Sequence, residues 1–224
     1  MTLLDTSLAQ LAQELPGATA IFNHYNLSFC CGGKHTLREA ASKASLDCHA
    51  LEAELLRLKP ETEQDRDWTQ AEDAEIIAYL LKRFHEVHRV QLVELKRLAH
   101  RVESVHGDRE ECPHGLTEHL HRMAMELEQH MQKEESILFP LLAGGQGMMA
   151  DGPIQVMLME HEGHREEVAR MDALTDNLTL PRGACNTWRA LYSGLEAFKA
   201  DLDAHIHLEN DVLFARYQGG PNHG

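Results

Sequence analysis

Two stretches of this chain are near copies of one another, and they limit what it can fold into more than any other feature. His130–Phe139 reads HMQKEESILF, and His205–Phe214, 75 residues further on, reads HIHLENDVLF. Both follow H-x-x-x-E-x-x-(I/V)-L-F. A shorter echo precedes each copy: His85–Arg89, HEVHR, matches His161–Arg165, HEGHR, 76 residues on. Residues four apart share one face of a helix, so each long copy sets an imidazole beside a carboxylate. The sequence reads as two diverged halves, each with a lone histidine motif followed by a His/Glu pair.

The flanking residues predict the helices that carry these motifs. A first helix runs from about Thr69 to His106 and stops at Gly107. A second starts near Pro113 and ends before Gly144-Gly145. Pro153 suits the first residue of a third helix, which ends near Thr175, and Pro181-Arg182-Gly183 turns into a fourth over about 184–218. An apolar stripe stepping by three and four follows each. In the second helix it is Leu116, Leu120, Met123, Leu127, His130, Glu134, Ile137 and Leu141, and in the fourth Leu191, Leu195, Phe198, Leu202, His205, Glu209 and Val212. The first gives Ala78, Leu81, His85, His88, Leu92, Leu95 and Ala99, and the third Ile154, Met157, His161, His164, Val168 and Met171. These are inward stripes of a four-helix bundle, with His and Glu falling in their middle.

The first 58 residues predict a small unit of short helices: Leu3–Glu14 broken by Pro16-Gly17, then Ala18–Tyr25, one capped by Thr36, and one from Ser45 to about Leu58. Between the second and third lies the loop NLSFCCGGKH, with vicinal Cys30 and Cys31. A charged, proline-containing linker follows. The expected organisation is all-α: a helical domain over 1–58, a linker over 59–70 that lets this domain approach the bundle or a partner, and the bundle over 71–218.

The formal net charge of −15 argues against nucleic acid or an anionic membrane as partner, since both need a cationic surface. Five cysteines form no disulfide framework, which favours a reducing compartment. Cys48, Cys112 and Cys185 have no common metal spacing. The N-terminal residues lack a basic leader pattern, and no apolar run approaches the roughly 18 residues that span a bilayer. The expectation is a cytoplasmic protein, monomer or homodimer.

An unpartnered buried carboxylate costs several kcal/mol, and the stripes offer Glu134 and Glu209 neither lysine nor arginine. A cation resolves the conflict by pairing with both carboxylates and taking the imidazole lone pairs. Four histidines and two glutamates suit iron or manganese better than zinc, which usually takes four ligands. Shared between two metals, six side chains leave positions open for a bridging oxide and a small ligand such as O2, NO or peroxide. HEVH and HEGH are one residue short of the zinc-protease motif.

The doubled H-x-x-x-E with I/V-L-F, together with FCCGGKHTL near the N-terminus, resembles the iron–sulfur cluster repair di-iron proteins (RIC, the YtfE/ScdA family), which join a small N-terminal domain to a hemerythrin-like four-helix bundle. The resemblance covers nearly the whole chain. It implies two non-haem irons held by His85, His130, His161 and His205, with Glu134 and Glu209 bridging. It also implies a stress-response role in restoring damaged iron–sulfur proteins, by delivering iron or handling NO. An NO- or O2-binding sensor or scavenger and an NO-reducing oxidoreductase remain alternatives, so the sequence leaves open whether the protein is an enzyme. Cys30 and Cys31 are the candidate redox pair. His88 and His164 suit partners of the ligands or alternative ligands, and Glu126 and Glu160 suit either a solvated face or an iron or proton path.

Overall fold

The computed structural model describes residues 2–29, 33–58 and 67–218. Cys30 and Cys31 lie outside these, as do 59–66 of the expected linker. All regular elements among the described residues are helical, apart from one antiparallel bridge between Ser7 and Thr36.

The N-terminal unit holds four short helices, α1 (Leu8–Glu14), α2 (Ala18–His24), α3 (Leu37–Lys43) and α4 (Cys48–Leu56). Each start has a local cause. Ser7 accepts from the Gln10 amide, Asp47 accepts from His49 and Ala50, and Thr36 forms a capping box with Glu39. Two boundaries differ from expectation. Leu3–Asp5 is a separate 3-10 turn, because Ser7 caps a new helix. The fourth helix starts after Asp47, not at Ser45, whose φ of 57° is left-handed.

Three of the four bundle helices change pitch near their motif. The first is α-helical over Asp73–Leu80, π-helical over Leu81–His85 and α-helical again over Glu86–His106. The second runs through Leu116–Lys133, a π segment Glu134–Leu138 and Phe139–Ala143. The fourth runs through Asn186–His207, a π segment Leu208–Phe214 and Ala215–Gln218. The third, Asp151–Leu174, is α-helical throughout, with Pro153 inside its first turn rather than at its first position.

The π turns correct the expected stripes. On the side where each helix stays α-helical, the expected residues are buried: Leu92, Leu95 and Ala99, then Leu120, Met123 and Leu127, then Leu195, Phe198 and Leu202. Beyond the π turns the phase slips by one residue. Ile137 is 53% exposed while Leu138 is 1% exposed, and Leu142 is buried in place of Leu141. Leu213 and Phe214 are buried in place of Val212, and Ile77 and Leu80 in place of Ala78 and Leu81. A π turn holds an extra residue, so everything past it rotates relative to the motif. Pro140, which has no amide hydrogen, is the second residue after the second helix's π segment.

Two apolar clusters result. One joins Leu8, Leu11, Phe22 and Leu37 of the N-terminal unit to Leu95, Leu127, Trp188 and Leu191 of the bundle. The other holds Ile76, Phe84, Leu138, Ile154, Leu213 and Phe214 beyond the π turns. The His/Glu layer lies between them. The N-terminal unit is docked on the start of the fourth helix: the Ser193 hydroxyl donates to the Gln13 carbonyl at 2.7 Å, and the Asn186 amide donates to the Phe29 carbonyl at 3.1 Å.

Candidate metal centre

Six side chains from all four bundle helices meet in the layer between the apolar clusters. His85, Glu134, His205 and Glu209 bring ligand-type atoms within 4.8 Å of one another, and so do His130, Glu134, His161 and Glu209. Glu134 and Glu209 belong to both groups. All six residues are 0–1% exposed.

Helix geometry fixes the near contacts. His130 Nε2 lies 3.3 Å from Glu134 and His205 Nε2 lies 3.2 Å from Glu209, each four residues on. The lone histidines close the square, with His85 Nε2 3.4 Å from Glu134 and His161 Nε2 3.2 Å from Glu209. The Nε2 atoms of His130 and His161 face each other at 3.0 Å.

The far sides of three imidazoles are held by acceptors. His85 Nδ1 meets Glu135 at 2.8 Å, His130 Nδ1 meets Glu160 at 2.9 Å, and His161 Nδ1 meets Asn210 at 2.8 Å. Glu135 also accepts from Arg89, and Glu160 from Lys133. With Nδ1–H donated outward, each ring in its neutral form would turn its Nε2 lone pair on the centre. Outer acceptors of this kind fix the tautomer and orientation of metal-binding histidines.

Electrostatics follow from this packing. Burial works to lower the His130 imidazole, but facing Glu134 and Glu209 carries it up to about 9. Burial likewise lowers His85, and its contacts with Glu134 reverse the direction. Burial would raise Glu209, but His205 and His161 hold it well below the ordinary carboxylate range. His88 and His164 move the other way: burial takes His88 well below its ordinary value and His164 down to about 3.

The donor set fits a pair of cations. Both oxygens of Glu134 and of Glu209 and the Nε2 atoms of His85 and His205 are buried with no hydrogen-bond partner, a costly arrangement that two shared metals would satisfy. His88 and His164 are buried beside the centre but outside both ligand groups. Glu126 is on the exposed face, whereas Glu160 is the acceptor for His130. A surface pocket of about 510 Å³ lined by Gly115, His119, Arg122 and Arg170 lies at the far end of the second bundle helix and takes no part in this layer.

Glu135 and Asn210 were not singled out by the sequence reading. Their signal lay in the repeat: each directly follows the glutamate of its copy, and each reaches the lone histidine of its own half.

A four-helix layer of histidines and carboxylates of this kind defines a hemerythrin-type cation-binding bundle. Residues 76–217 match the family described as the Hemerythrin HHE cation binding domain, and residues 4–59 match the ScdA_N family, described as a domain of unknown function. Relatives extend the likeness to the whole chain. It is 50% identical over 216 residues to the iron-sulfur cluster repair protein YtfE of Pectobacterium atrosepticum, covering 96% of this chain and 98% of that one. The protein of the same name from Musicola paradisiaca is 50% identical, and that from Yersinia pseudotuberculosis 49% identical, each over 95% of this chain and 96% of the relative. The chain belongs to the YtfE family.

Proposed function

We propose that this chain is a di-iron protein that restores iron–sulfur clusters damaged by nitrosative or oxidative stress. The observation that carries the reading is the convergence of six buried donors in two groups sharing Glu134 and Glu209, in a chain half identical to repair proteins over nearly its full length. His85 and His205 would hold one iron and His130 and His161 the other, with Glu134 and Glu209 available to both. Bound iron supplies a one-electron couple and open positions for a diatomic ligand such as NO or O2.

The chain's own groups do the rest. Two carboxylates offset part of the metals' charge. Glu135, Glu160 and Asn210 hold three imidazoles in the ligating tautomer. The two apolar clusters exclude water from above and below, which strengthens every electrostatic contact inside. Glu160 and Lys133 lie at the rim of the layer, 28% and 43% exposed. With Arg89 and Glu135 on the His85 side, 35% and 30% exposed, they give the layer a polar, part-exposed rim for iron exchange with a damaged cytoplasmic client. Cys30 and Cys31 act as the redox pair. Among the described residues no helix is long and apolar enough to cross a membrane.

Two measurements test this. Untagged protein should hold about two irons per chain, and a value near zero, or zinc alone, would remove the di-iron reading. An iron–sulfur enzyme inactivated by NO should regain activity with the holoprotein. Tight reversible NO binding without reactivation would favour a sensor, and multiple-turnover N2O formation an oxidoreductase.

A further inference from the structure

Among the four imidazoles of the centre, His205 stands apart. His85, His130 and His161 each engage an outer acceptor through Nδ1, whereas His205 Nδ1 is buried and has no protein partner. The duplication explains the gap. Glu160 directly precedes His161 and serves His130 of the neighbouring motif. The equivalent residue before His85 is Phe84, whose ring stacks on His205 at 5.1 Å and 10° and accepts nothing.

A second orphan lies beside the first. His88 is fully buried and its Nε2 has no partner. Its tautomer is set from outside. Gln91 Nε2 donates to Asp201 at 2.6 Å, so the Gln91 oxygen faces His88, and His88 Nδ1, 3.2 Å away, carries the hydrogen. Arg83 holds the other Asp201 oxygen at 2.5 Å. His88 Nε2 is therefore a bare lone pair, and the His88 and His205 ring centres are 5.3 Å apart. As the rings stand the two nitrogens make no hydrogen bond, and a centre separation of 5.3 Å lets them come to about 3 Å, hydrogen-bond length, once the rings turn to face one another. Phe84 on one side and Phe198 on another confine the two rings.

We propose that His88 is the positioning residue for His205: its Nε2 accepts the Nδ1 hydrogen of His205 when that ring engages the metal. An outer chain Arg83–Asp201–Gln91–His88–His205 then replaces the single carboxylate that serves His130. The inference rests on the di-iron reading above. His164, the counterpart of His88 in the second half, stands next to His130, which Glu160 already serves, so the duplication uses only one of the two.

The test compares holoprotein of wild type, His88→Leu, His88→Gln and Gln91→Leu. Iron release from the reduced protein to a ferrous chelator is followed in time, imidazoles per iron are counted by X-ray absorption, and urea midpoints are taken after the metal is stripped. His88→Leu should release one of its two irons 10–100-fold faster, the range for losing an outer partner, with the other at the wild-type rate. In its stripped form the loss of a buried orphan nitrogen offsets the loss of the Gln91 bond, so the urea midpoint should stay close to wild type. A purely structural role would lower that midpoint instead. His88→Gln, which keeps an acceptor oxygen, should recover most of the retention. Gln91→Leu, which leaves the His88 ring in place but frees its tautomer, should show a smaller acceleration and stands in if His88→Leu does not fold. Wild-type release of both irons from His88→Leu would overturn the inference. So would a wild-type count above two imidazoles per iron that falls in His88→Leu, since His88 would then be a ligand. Wild-type protein without iron would overturn the di-iron reading itself, and this inference with it.

Discussion

Stripping the metal should leave a protein whose stability in acid is lowered by His164. This imidazole is 8% exposed, its Nε2 has no partner, and burial together with the neighbouring His130 and His161 holds it at about 3. An unfolded chain returns it to about 6.5. The sign follows directly. Below pH 6.5 the unfolded state binds a proton that the folded state refuses, so stability falls as pH falls, by about 1.4 kcal/mol per unit until pH 3. At pH 5 the loss from His164 alone is about 2 kcal/mol, and at pH 7.5 it is nearly nil. His88 adds in the same direction. His130 works oppositely: its value of about 9 gives stability that is fully present below pH 6.5 and lost as pH rises through 9. The perturbation is His164→Leu, of similar volume and without a titrating group. The assay is urea unfolding of metal-free wild type and variant at pH 5.0 and 7.5. Taking the difference between pH values within each protein cancels most of the packing cost of the substitution and the contribution of His130. The variant should lose about 2 kcal/mol less than wild type on acidification, roughly 1 M urea at ordinary slopes. Equal losses in the two proteins would refute the reasoning.

Other consequences are as direct. Glu209→Ala and Glu134→Ala each remove a carboxylate shared by both ligand groups, so iron content should fall well below two per chain, and full iron in either would break the ligand assignment. Glu135→Gln and Glu160→Gln weaken the outer partners of His85 and His130; each should speed release of one iron by about 10-fold or more, and the double variant should speed both. Leu138→Ala should cost about 2–5 kcal/mol in urea unfolding while Ile137→Ala costs no more than about 0.5, given exposures of 1% and 53%; the reverse order would place the second helix in the unslipped phase.

The slipped phase shows where sequence and structure part. The H-x-x-x-E spacing is short and α-helical, so His130 with Glu134 and His205 with Glu209 could be set on one face from the letters alone, and the repeat supplied the other half of the layer. The lone histidines followed because the stripes of the first and third helices stay in register on the inner side of the centre. Ile137, Leu141, Val212, Ala78 and Leu81 failed because a constant period was carried through a π turn. Around those turns Phe84, Phe139 and Phe214 stack on His205, His85 and His161, and these contacts are not local in sequence. Pro140 was the one local sign of a turn. The outer acceptors needed the same long-range knowledge: Glu135 and Asn210 are ordinary surface letters until the neighbouring helix brings His85 and His161 to them.

Docking of the N-terminal unit bears on how the two parts of the chain cooperate. Phe29, which immediately precedes the cysteine pair in sequence, is held by Asn186 at the first turn of the fourth bundle helix. His205 is 19 residues further along that helix, about 28 Å at an α-helical rise. Phe29 and the metal layer are therefore at different ends of one helix, with residues of the larger apolar cluster between them. Chemistry at the cysteines and chemistry at the irons should then be separable. Cys30→Ala/Cys31→Ala protein should take up two irons and release them to a chelator at wild-type rates, yet lose most of its ability to reactivate an NO-damaged client. Asn186→Ala, which removes the anchor, should leave iron content intact and make α1 and its neighbours exchange amide hydrogens faster, because the unit loses a polar tie while keeping its apolar contacts. Faster iron loss in the double cysteine variant would mean that the pair reaches the metal layer directly, and that the docked arrangement opens during the working cycle.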